Sequence, residues 1–383
     1  MRFVMRDRHV IDLAVFVLAF AGLTSSGLLA SGGGQAAKPK AGAGWTVPRT
    51  PDGHPDLQGR WSFATLTPLE RAPGAKAFLT DEEALQLLQS ALARGNEEQG
   101  PPRSSGTGSA AGERTSATPA RERAKPASAS AGLGGAPQPP PLPAYNAFWM
   151  NRGSGLVRIG GVIRSSLVVD PPDGRVPPLT PEGLKRASEV MTAQNTAARA
   201  ENRPAMERCI LGFNTGPPLT PGAYNNNVEI IQNRDSIVML NENVHSARIV
   251  PTDGRPHGKI RRWLGESRGR WEGETLVIDT RDFLNSTGVT DPRLHGDGGG
   301  PRLHVIERLT RVDADTIVYA ATVEDPDMWP RPWTMEFTFI RTDEPILEYA
   351  CHEGNYGLPN GLSGIRAQER AATEAAKKRE PTK

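Results

Sequence analysis

From Val228 onward apolar and polar residues trade places at nearly every second position. The pattern runs through "VEIIQ", "SIVMLNE", "SARIVP", "RRWLGES", "GRWEG", "ETLVIDT", "RLHVIERLTR", "DTIVYAATVED", "WTMEFTFIR" and "PILEYAC". That is the period of strands with one buried face. Asp253-Gly254, Trp271-Glu-Gly-Glu274 and Asp313-Ala-Asp315 separate the segments as turns. Short strands at this spacing predict a mainly β fold, an antiparallel meander closed as a barrel, with a β-sandwich as the alternative. The phase names an interior. Trp333, Met335, Phe337 and Phe339 share one face, as do Ile317, Tyr319, Ala321 and Val323 with Asp325, and Leu303, Val305 and Leu309 with Glu307. Glu307 thereby lands among apolar residues. A buried carboxylate needs an arginine across the strands, a hydrogen-bond donor, a proton or a ligand.

The pattern changes upstream. Leu57 to Thr65 reads as a strand with Leu57, Gly59, Trp61 and Phe63 on one face. Thr80-Asp-Glu-Glu83 is a capping box opening a helix that Gly95 ends, and Thr180-Pro-Glu opens a second running to about Ala200. Short strands are expected near Phe148 and at Ser165 to Val169. "SGIRAQERAATEAAKKREPTK" starts as a helix and passes into a charged tail over 371–383, so two or three helices lie around the barrel. Residues 100–143 are Ser, Ala, Gly and Pro without an apolar face, too poor in core-forming side chains to offset their ordering entropy. They read as a disordered insertion within one domain spanning 45–370.

Composition adds a compartment. Arg2, Arg6 and Arg8, the apolar run Leu13 to Ala30 and small residues around Gly34-Gln35-Ala36 read as an export signal over 1–37, with no stable transmembrane segment after its removal. Periplasmic or secreted localisation follows. Two cysteines, Cys209 and Cys351, are expected to pair in that compartment. The net charge of +2, with basic residues spread along the chain, argues against a nucleic-acid partner.

Several stretches together resemble an uncharacterised family of exported bacterial proteins: "PDGHPDLQGRW", "DPPDGRVPPLTPEG", "PGAYNNN", "WLGESRGRWEGETLVIDT", "LHVIERLTRVDADT", "DPDMWPRPWT" and "EYACHEGNYG". The resemblance spans most of 45–98 and 145–370 and implies no activity; it sets 100–143 apart as an insertion and suits the Cys209–Cys351 bridge. A weaker similarity, carried by Gly59-Arg-Trp61 at a strand start and repeated at Gly269-Arg-Trp271, is to lipocalin-like barrels.

Candidate chemistry is sparse. No GxSxG, phosphate-binding glycine loop, HxH, HExxH or CxxC occurs. His54 and His257 sit in turns, and His304 and Glu307 face opposite ways on one strand, so no protein-built metal site is expected and the cofactor is left unassigned. Glu307, Asp325 and Glu353 are the candidate acid–base carboxylates. His245, Arg248, His304, Arg331, Trp333, His352 and Tyr356 are the candidate ligand contacts. The favoured expectation is a protein that binds a small apolar or saccharide ligand in the barrel or a cleft. The alternatives are a periplasmic carbohydrate-active hydrolase or lyase using paired carboxylates, and a structural or interaction module of the cell envelope.

Overall fold

The computed structural model describes residues 45–98, 150, 151, 153–196, 199–284 and 302–379. The export signal, the 100–143 insertion and the strand near Phe148 lie outside the described residues. The elements in chain order are β1 (Gly59–Ser62), β2 (Phe78–Leu79), α1 (Asp81–Glu98), β3 (Arg158–Ile159), β4 (Val162–Arg164), β5 (Val168–Asp170) and α2 (Pro181–Thr196). There follow β6 (Asn227–Gln232), β7 (Ser236–Asn241), β8 (Ala247–Pro251), β9 (Glu266–Glu272), β10 (Thr275–Arg281), β11 (His304–Arg311), β12 (Thr316–Glu324), β13 (Trp333–Arg341) and α3 (Gly357–Arg379).

Among the described residues, nine strands form a nearly closed antiparallel barrel in the order β8-β7-β6-β1-β13-β12-β11-β10-β9, with β5 paired to β13 off this path. β12 pairs with β11 on one side and with β13 on the other, in the registers Glu307↔Ala321 and Tyr319↔Phe337. The odd-numbered side chains of these three strands therefore point the same way. Trp333, Met335, Phe337, Phe339, Tyr319, Ala321 and Val323 are fully buried there with Trp61 and Phe63 of the first strand segment. Each large apolar side chain so enclosed contributes roughly 1.5–3 kcal/mol. Aromatic packing fills this part of the interior: Tyr319 stacks on Phe339 with ring centroids 5.2 Å apart, and Phe63 lies 5.6 Å from Phe339. Trp61 donates its indole N–H to the Leu57 carbonyl at 3.0 Å and carries the Arg341 guanidinium 4.6 Å from its ring.

The helix ends follow from local chemistry. Thr80 and Glu83 exchange the two bonds of a capping box at the start of α1, and the Gly183 N–H bonds the Thr180 hydroxyl at the start of α2. α1 passes Gly95 and reaches Glu98, whereas α2 stops at Thr196. α3 continues to Arg379, well into the expected tail, because "AQERAATEAAKKR" is rich in strong helix formers. Two expected strands are absent. "PILEYAC" runs without ladder partners, since β13 is already bordered by β12 on one edge and by β1 and β5 on the other. Its backbone is met by side chains instead: Glu242 accepts from the Leu347 N–H at 3.2 Å, and the Leu347 carbonyl lies 3.0 Å from His245 Nε2. "RRWLGES" turns before entering β9, because Gly265 takes φ +66°, where a Cβ would stand 2.7 Å from the Arg281 carbonyl. Among the described residues no helix is long and apolar enough to cross a membrane.

Candidate functional site

Nine strands in antiparallel succession leave the first and last running in the same direction. β8 and β9 therefore lie side by side without continuing the ladder. At one end the seam is tight: a Cβ on Gly269 would sit 2.8 Å from Thr252 and 3.0 Å from Val250 across it. Toward the N-terminal ends of both strands it opens into a cleft of about 490 Å³. Ile210, Leu211, Ile249 and Trp263 give the cleft apolar surface, and Arg262, Glu266 and Arg268 give it charge. Trp263 is fixed by the turn before β9, where the Arg262 N–H bonds the Asp282 carbonyl at 3.0 Å and the Gly265 N–H bonds the Arg262 carbonyl at 3.1 Å. The Arg208 guanidinium stands 5.9 Å from the Trp263 ring. The next residue, Cys209, is disulfide-bonded to Cys351 with Cα atoms 5.7 Å apart, so the bridge anchors the segment that supplies Ile210 and Leu211.

Arg248 belongs both to the cleft lining and to the barrel interior. Both its Nη groups donate to the Glu307 carboxylate, Nη2 to Oε1 at 2.9 Å. Tyr319 donates its hydroxyl to the same Oε1 at 2.7 Å and accepts the Leu219 N–H at 2.9 Å. Burial works against the Arg248 charge, but Glu307 outweighs it and holds the guanidinium above its ordinary value. Burial, reinforced by Glu307, pushes the Tyr319 phenol well above its ordinary value, so it stays protonated and donates. Arg248 Nε remains a buried donor without a partner among the described residues.

A second polar group lies beside the cleft, where β9, β10 and β11 present one end. Asp279 Oδ1 is 3.2 Å from His257 Nε2 and 3.1 Å from His304 Nε2, and Arg281 bonds both oxygens at 2.8 and 2.9 Å. Burial raises the Asp279 carboxyl, but the Arg281 hydrogen bond and the neighbouring positive charges leave it below its ordinary value. His304 Nδ1 faces Glu324 at 3.6 Å, and His257 Nδ1 faces Glu266 at 4.0 Å.

The remaining sequence-derived candidates are dispersed. Asp325 is buried in the turn after β12, where its carboxylate accepts the Asp327 N–H at 3.0 Å. It stands four residues along β12 from Ala321, the partner of Glu307, or roughly 13 Å at the strand rise. Glu353 and His352 are exposed in the bend before α3, and Tyr356 is 73% exposed. Arg331 pairs with Asp170 at the surface, and Trp333 is core, edge-on to Trp329. His245 is exposed. The cleft residues Ile210, Leu211, Arg262, Trp263, Glu266 and Arg268, and the cluster residues His257, Asp279 and Asp282, were not candidates from sequence. The available signal was the two-residue alternation of Glu266, Arg268, Asp279 and Arg281, which places charges on one outer face. No family model, curated protein or solved structure matches this chain.

Proposed function

We propose that the protein binds a small molecule with one apolar face and a polar rim, of the saccharide class, in the cleft along the β8–β9 seam. The observation that carries this is the cleft itself. Its volume of about 490 Å³ falls within the range of ligand sites, and an indole with aliphatic neighbours stands among a few charged groups. The filled interior favours the seam over the barrel mouth, because Tyr319, Phe337 and Phe339 occupy the space a central ligand would need. Export through the expected signal would place the site where soluble saccharides are available. The acid–base alternative has less support, since Glu307 is already shared between Arg248 and Tyr319 and has no solvent contact.

The test is calorimetric titration with neutral mono- and oligosaccharides, alongside an apolar anilinonaphthalene fluorophore. Trp263→Ala is expected to weaken the best binder at least about tenfold, a loss of about 1.4 kcal/mol. Phe78→Ala, at a side chain that is exposed and outside the cleft, is expected to leave it unchanged. Absence of any saturable binder, or one indifferent to Trp263→Ala, would overturn the reading.

A further inference from the structure

We propose that His257, Glu266 and Asp282 form a divalent-cation site of the zinc class, with Asp279 as the group that orients His257. One ligand atom from each of the three residues lies within 4.8 Å of the other two. Donors arranged tetrahedrally about zinc at its usual bond lengths stand roughly 3.4 Å apart. Small rotations of the three side chains therefore close the set around an ion.

The tautomer follows from Asp279. An ionised carboxylate only accepts, so the His257 Nε2 facing it at 3.2 Å carries the proton. In the neutral ring the Nδ1 lone pair is then left over. That nitrogen is buried and has no hydrogen-bond partner among the described residues. A buried acceptor without a donor is costly. A metal ion satisfies it, and carboxylate–histidine–metal is a common way to hold a ligating imidazole. His304 differs although it shares Asp279: its Nδ1 is turned to Glu324.

Charge points the same way. Glu266, Asp279, Asp282 and Glu324 are four carboxylates, set against the two guanidiniums Arg268 and Arg281. With neutral imidazoles the excess is two negative charges, which a divalent cation balances. Glu266 gives one oxygen to Arg268 at 2.6 Å and the other to the Gly258 N–H. Each carboxylate oxygen has a further lone pair for coordination. Three protein ligands on a half-open surface leave at least one position for water or ligand. The site shares Glu266 with the seam cleft, but titration with metal alone reads it independently of the saccharide proposal.

The experiment is calorimetric titration of zinc chloride into the chelator-treated full chain, with a thermal melt at each end point. The expected result is one saturable zinc per chain and a raised melting temperature. His257→Ala should abolish that binding, Asp282→Asn should weaken it at least tenfold, and Asp279→Asn should weaken it by about 10–100-fold. Should His257→Ala fail to fold by circular dichroism, Asp282→Asn decides, since its half-buried side chain lies outside the core. No saturable binding by the folded wild-type chain would overturn the proposal and leave His257 as a structural partner of Asp279. Unchanged affinity in Asp282→Asn would overturn it equally.

Discussion

Glu307 is a carboxylate without solvent contact, and two neighbours hold it in place by hydrogen bonds. Arg248 supplies a two-pronged pair, and Tyr319 supplies a hydroxyl whose own acceptor capacity is used by Leu219. Removing one member strands the others, so Glu307→Ala should lower unfolding stability by about 3–5 kcal/mol in chemical denaturation. Replacing both charges together, Glu307→Leu with Arg248→Met, should recover most of that loss, because a buried pair contributes little over apolar residues of similar size. A double variant as unstable as the single would mean that the pair is not what supports this layer. The need for a partner was legible from the phase of "LHVIERL". The identity of the partner was not, because Arg248 lies 59 residues away on a strand across the barrel.

β13 illustrates what alternation can and cannot say about an element. Its odd positions from Trp333 to Phe339 are buried as the two-residue period requires, but Glu336 on the other face is also buried. The cover comes from the β4–β5 segment: Arg164 pairs with Glu336, and the Glu336 N–H bonds the Leu167 carbonyl at 2.9 Å. No periodicity within "WTMEFTFIR" reports a lid whose Arg164 lies 172 residues from Glu336 in the chain. Burial raises the Glu336 carboxyl above its ordinary value, with Arg164 only partly opposing it. The folded chain thus holds this proton more tightly than the unfolded one. The associated stability is fully present below the unfolded value of 4.5 and is lost as pH rises through the folded one. Glu336→Gln should flatten that decline above pH 4.5 in denaturation midpoints measured against pH. An unchanged pH profile would mean that Glu336 titrates alike in both states. Among the other elements, the capping residues of α1 and α2 were readable because their signals are local. The missing strand at "PILEYAC" was not, because it fails only since both edges of the preceding β13 are already taken.

At the scale of the molecule, the decisive number is nine. An even count of antiparallel strands could close with a further antiparallel ladder, whereas nine leave β8 and β9 parallel and the barrel nearly closed. The cleft is a consequence of that parity, together with the turn that carries Trp263 and the disulfide that anchors Ile210 and Leu211. The strands were legible in the sequence because each is half-buried and regular. The site was not, because it is assembled from residues 210–211, 246–251 and 262–268, which meet only once the seam forms, and because the strand count does not name the strands that meet at the gap. The most direct measurement is the map of backbone amide shifts on saturation with the best saccharide or apolar binder. The account predicts the largest changes at 210–211, 246–249 and 262–268, with Tyr319, Phe337 and Phe339 little moved. Changes centred on those interior aromatics, or spread evenly over the barrel, would contradict it.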